Sequence, residues 1–162
     1  MGSALTFNRG NPSRPEGDRA VELPPNTTAD RDNAPGEPAQ RLVGVLTVDD
    51  QEVFRELARQ VVEATPGFES LGEVASGEEA LPAVAELNPD MVVVDVRMPG
   101  MGGVEAARRI AAAHPETVVV LISVEDPMDI PSDAEASGAV ALVRKEDFKP
   151  ALLCELWEAH GR

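Results

Sequence analysis

The sequence predicts an α/β fold, a doubly wound parallel sheet of five strands with helices on both faces, and three observations carry that reading. Five short apolar segments recur between residues 43 and 143. Stretches with helical spacing of apolar residues fill the gaps between them. The first, third and fourth segments are near-continuous runs of β-branched residues, as suits central strands covered by helices on both sides.

The elements follow in order along the chain. Residues 1–40 are expected to be a disordered, Pro-rich tail, because Pro12, Pro15, Pro24, Pro25, Pro35 and Pro38 are scattered among Gly, Asn, Asp and Arg with no apolar period. Within it, Ala4-Leu5-Thr6-Phe7 and Ala20-Val21-Glu22-Leu23 are short apolar pieces able to dock on a partner. Order is expected from residue 41 to 162. Val43-Gly-Val-Leu-Thr-Val48 forms the first strand, and a helix over 51–64 follows, with Phe54, Leu57, Ala58, Val61 and Val62 on one stripe. The segment from Phe68 to Val74 alternates more, as an edge strand does. Ser76 with Glu79 resembles a capping box, yet Pro82 then lies inside the helix, so this helix is either kinked or starts nearer Leu81. Met91-Val-Val-Val94 is the third strand, and 103–113 is a helix with Val104, Ala107, Ile110 and Ala111 on its apolar face. Thr117-Val-Val-Val-Leu-Ile122 is the fourth strand. Pro127 and Pro131 then interrupt the next connection, leaving one short, late helix over about 132–137. Val140-Ala-Leu-Val143 is the fifth strand, and a helix over 148–159, capped by Asp147 with Pro150 in its first turn, ends the chain. Such alternation demands right-handed crossovers and suits a flavodoxin-like sheet of order 2-1-3-4-5.

Composition narrows the function. The chain has 162 residues and a formal net charge of −15, nearly all of it after residue 41. A surface that acidic repels phosphate backbones, which argues against direct nucleic-acid binding. The lone cysteine, Cys154, rules out an intramolecular disulfide and points to a reducing compartment. No apolar run approaches the ~20 residues of a membrane span, and the N-terminus lacks the apolar core of a signal peptide. A cytoplasmic location without membrane insertion is the expectation.

In such a sheet, ligands bind beyond the carboxyl ends of the strands. The first strand ends in Val48-Asp49-Asp50, the third in Asp95, the fourth at Ser123, and the fifth runs into Lys145. Three carboxylates thus converge on one rim beside a hydroxyl and an ammonium. Their mutual repulsion is relieved by a hard divalent cation, and Mg²⁺ fits because it bridges carboxylates to phosphoryl oxygens. No Cys–His or Ser–His pair offers another nucleophile, so the candidate is a carboxylate. The physics points to an Mg²⁺-assisted aspartyl-phosphate site.

Residues 42–160 resemble a bacterial two-component response-regulator receiver domain. The matching pieces are Val48-Asp49-Asp50, Val94-Asp95-Val96-Arg97-Met98-Pro99-Gly100-Met101-Gly102-Gly103, Leu121-Ile122-Ser123, and Gly138-Ala139 followed by Lys145. The resemblance implies that Asp95 accepts a phosphoryl group from a phosphohistidine on a sensor histidine kinase or phosphotransfer protein. It implies Mg²⁺ bound by Asp50 and Asp95, with Asp49 helping and the backbone carbonyl of Arg97 as a further ligand. Ser123 would close on the phosphoryl group and Lys145 would pair with Asp95 or its phosphate. Catalysis of this kind is positioning and charge neutralisation, limited to self-catalysed transfer and slow autodephosphorylation. A stand-alone receiver of this kind would signal by contact with a downstream protein.

The chain departs from that pattern in places. Where the family often has an aromatic residue three before the lysine, Leu142 stands here, and bulky Val124 follows Ser123 where a very small residue is usual. The interrupted 124–138 connection lies on the face formed in the family by the fourth helix, fifth strand and fifth helix, its usual output surface. Arg97 and Glu125 flank the site and are placed to pair across its rim. These departures support an alternative of another class, a degenerate receiver that acts as a phosphorylation-independent interaction module, against which stands the presence of Asp49, Asp50, Asp95, Ser123 and Lys145 together. A hydrolase of the haloacid dehalogenase type needs a second Asp two residues after the nucleophile, where this chain has Arg97. A flavin site needs a phosphate-binding first loop rather than an acidic one.

Overall fold

The structure is a computed structural model that describes residues 4–7, 41–130 and 132–161. The described residues 4–7 and 42–161 belong to one compact unit. Apart from residues 4–7, the expected tail over 1–40, with its apolar piece at 20–23, therefore lies outside the described residues.

Five parallel strands appear where the apolar runs stand: β2 (Val43–Val48), β3 (Phe68–Val74), β4 (Met91–Asp95), β5 (Val118–Ser123) and β6 (Ala141–Arg144). A sixth, β1 (Leu5–Thr6), precedes them and pairs antiparallel with β6, so the sheet runs β1-β6-β5-β4-β2-β3. The five parallel strands keep the order 2-1-3-4-5. Residues 4–7 differ from the expectation of a disordered leader because Phe7 finds an apolar site and β6 offers an unpaired edge.

Both sheet faces are covered. Phe54, Ala58 and Val62 of α1 (Glu52–Glu63) and Leu153 and Leu156 of α4 (Pro150–His160) pack on one face, against Val45, Val93 and Val120. Ala80 and Val84 of α2 (Gly77–Leu87) and Ala106, Ala107 and Ile110 of α3 (Gly103–Ala113) pack on the other, against Leu46, Val94 and Leu121. The β-branched runs of β2, β4 and β5 are buried throughout, because the odd and even positions of each strand face two different cores.

The proline questions resolve individually. Ser76 Oγ accepts from Glu79 N at 3.1 Å and Glu79 Oε1 accepts from Ala75 N at 3.1 Å, which fixes the start of α2 and leaves Pro82 inside the helix. The late helix expected over 132–137 is found at Ser132–Ser137, wound as a 3₁₀ helix, after a shorter 3₁₀ turn at Pro127–Asp129. The expected cap of the last helix needs correction: Asp147 belongs to a 3₁₀ turn, Lys145–Asp147, and the N-cap is Lys149 with Pro150 next.

Candidate functional site

Register brings the acidic residues together. Val48 pairs with Val94, and Asp95 pairs with Ile122, so β2, β4 and β5 end on one rim. Ser123 lies one residue beyond the partner of Asp95 and is paired with Arg144, which places Lys145 immediately past the end of β6. Beyond β4 the chain must turn sharply to start α3, and glycine is required there. A Cβ on Gly103 would collide with the Asp95 carbonyl, while the Gly103 amide donates to Val96 O at 3.0 Å.

Carboxylate oxygens of Asp49, Asp50 and Asp95 all lie within 4.8 Å of one another. Asp49 is fully buried and Asp95 nearly so, whereas Asp50 is exposed. Lys145 reaches the cluster from the opposite wall, with Nζ 2.7 Å from Asp49 Oδ2 and 3.8 Å from Asp95 Oδ2. Gln51 N donates to Asp49 Oδ1 at 2.8 Å and fixes that carboxylate against the start of α1. Arg55 Nη1 donates to the Asp49 carbonyl at 2.7 Å, anchoring the backbone of the same residue.

One ammonium among three carboxylates leaves a deficit of positive charge. Burial pushes the Asp95 carboxyl up to about 6, the charges of Asp49 and Asp50 add to that, and Lys145 opposes it. The donor set is all oxygen, which is the choice of a hard cation such as Mg²⁺. Asp49 Oδ2 is buried and meets only the Lys145 ammonium, at 2.7 Å, among the described residues. The residues present therefore fit such an ion, with Asp50 and Asp95 open to it and Asp49 behind them.

The remaining expected residues stand around this centre. Ser123 is buried at the end of β5, and its Oγ accepts from Glu125 N at 2.9 Å. Arg97 Nε donates to Glu125 Oε1 at 2.9 Å, so the rim pair read from the sequence is formed. The side chain of Val124 is largely exposed on the rim. Leu142 is buried on the sheet face opposite α1 and α4.

Sequence reasoning missed the wall behind Lys145. The Lys145 ammonium lies 4.6 Å from the centre of the Phe54 ring, and Phe54 packs against Phe148 with ring centres 5.8 Å apart and planes inclined by 53°. Phe54 reads in sequence as one more member of an amphipathic stripe. Phe54 stands in the first turn of α1, and nothing in the sequence ties that position to Lys145.

Comparison with known proteins agrees with this geometry. The family model described as a response regulator receiver domain matches residues 45–157. The response regulator GacA of Pseudomonas viridiflava is 36% identical over 104 residues, covering 64% of this chain and 49% of that protein. A protein-glutamate methylesterase/protein-glutamine glutaminase of Geobacter metallireducens is 41% identical over 108 residues, 65% of this chain and 31% of that protein. The chain thus spans about half, or less, of the length of these curated relatives. Among solved structures, the response regulator domain of Thermotoga maritima CheB superposes with a TM-score of 0.66 at 28% identity, covering 74% of this chain and 97% of that one.

Proposed function

The chain belongs to the response regulator receiver family, and from that premise we propose that it takes a phosphoryl group onto Asp95 from a phosphohistidine of a sensor kinase or phosphotransfer protein. The observation that carries this reading is the Lys145 ammonium seated between Asp49 and Asp95, at 2.7 and 3.8 Å, opposite an acidic triplet. In the transfer an Oδ of Asp95 attacks phosphorus, an O–P bond forms, the N–P bond breaks, and its electron pair leaves on the imidazole nitrogen. Lys145 offsets the charge that arrives with the phosphoryl group. Ser123, whose oxygen already accepts the Glu125 amide, keeps its O–H to donate to a phosphoryl oxygen. Asp50, Asp95 and the Arg97 carbonyl, with Asp49 behind, would hold Mg²⁺, which would supply charge neutralisation for the incoming phosphoryl group. The phosphorylated domain would then act on a downstream protein, in the cytoplasm, without binding nucleic acid itself and with no enzymatic activity beyond its own phosphorylation and slow dephosphorylation.

Incubation with Mg²⁺ and acetyl phosphate tests this directly. Intact-mass spectrometry should show one phosphoryl adduct in the wild type and none in Asp95→Asn. An adduct that persists in Asp95→Asn would move the acceptor elsewhere. A second reading, a phosphorylation-independent interaction module, draws on the 3₁₀ turns over 127–137 and on Leu142. It gains if neither acetyl phosphate nor beryllofluoride engages the wild-type site.

A further inference from the structure

Residues 4–7 lie along the edge of β6, with Leu5 opposite Leu142 and Thr6 opposite Ala141, and Phe7 N donates to Val140 O at 2.9 Å. Phe7 is only 9% exposed and joins Leu142 and Ala134 in the core on that face, with Ile130 packed beside it. Leu5, by contrast, is 49% exposed, over a groove of about 160 Å³ lined by Phe7, Ile130, Ala134, Glu135 and Leu142. A ladder of two residues with one buried aromatic anchor is a small contact. Against it stands the entropy of ordering four residues. A β6 edge left uncovered would expose unpaired backbone groups, the usual template for adding a strand from another chain.

From this we propose that the β6 edge and its groove form a strand-addition site, that residues 4–7 are its tethered resident ligand, and that a partner strand of matching chemistry displaces them. The site selects an extended segment with an aliphatic residue, then any residue, then an aromatic, as in Leu5-Thr6-Phe7. Charge adds to the pattern: the chain carries a net −15, and Glu135 lines the groove. The fitting partner therefore carries basic rather than acidic residues around its aromatic anchor. The proposal is independent of phosphorylation, since each of its contacts lies outside the acidic site.

The test uses the full chain and a fluorescent peptide of residues 2–10. Phe7→Asp frees the edge, and the peptide should bind this variant at least tenfold more tightly than the wild type, where it must compete with the tethered copy. Phe7→Ala should fall between them, which guards against a folding defect in Phe7→Asp. A peptide carrying the same Phe7→Asp change should bind neither chain. Amide exchange over 140–143 should rise in Phe7→Asp and return toward wild-type protection when the peptide is added. Equal binding to wild type and variants, or binding to none, overturns the proposal. Protection over 140–143 that grows with wild-type concentration would mean that a second copy supplies the strand, and the tethered assignment would fail.

Discussion

At Asp95, burial and two neighbouring carboxylates act in one direction and Lys145 in the other, and burial prevails. With a value near 6 when folded against an ordinary 3.8, the folded chain holds this proton more tightly than the unfolded chain. Its contribution to stability is therefore complete below about pH 4 and is lost as pH climbs through about 6, a change of up to about 3 kcal/mol. In a chelating buffer, Asp95→Asn should have a higher urea midpoint than the wild type at about pH 7, with the gap shrinking toward pH 4. A gap that stays constant would assign the titration to another group. The rim pair is tested at the same scale. Arg97 and Glu125 are both partly exposed, so their contact adds little to stability. Read as a screen between Asp95 and water, the pair predicts that Arg97→Ala hastens loss of the phosphoryl group severalfold, and an unchanged dephosphorylation rate removes that role.

Element boundaries follow from caps and from prolines. Ser76 Oγ holds the Glu79 amide at the start of α2, and Ser76→Ala should cost about 1 kcal/mol, read as a lower denaturation midpoint with unchanged slope. The five parallel strands were legible because their apolar runs are bounded by polar residues and glycines, and because burial on both faces demands β-branched residues in β2, β4 and β5. The acidic triplet was legible for a related reason: the strand-end position of Asp49, Asp50 and Asp95 follows from the topology alone. The 3₁₀ winding at Ser132–Ser137 was foreseen only as a short helix, since prolines limit length without choosing between i→i+3 and i→i+4 bonding. Two features were not legible. The strand at Leu5–Thr6 depends on an edge more than 130 residues away, and the Phe54 ring under Lys145 joins elements that no local pattern connects.

For the whole molecule, net charge and the acidic site predict two separable responses. At −15, monovalent salt should raise the melting temperature by screening repulsion spread over the surface. Replacing NaCl by MgCl₂ at constant ionic strength should add a further increment, about 1.4 kcal/mol at ten times the dissociation constant. Asp50→Ala should diminish that increment and leave the response to NaCl intact; an increment that survives would place the divalent ion elsewhere. The sheet itself divides the interior into two sets of buried side chains, one including Phe54, Phe148 and Leu153, the other Phe7, Ile110 and Leu142. The strands act as a bulkhead: damage on one side does not flood the other. Conservative substitutions such as Ile110→Val and Leu153→Met should therefore sum in their effects when combined. The compartment holding Ile130, Ala134 and Leu142 can be rebuilt while the aromatic backing of Lys145 keeps its shape.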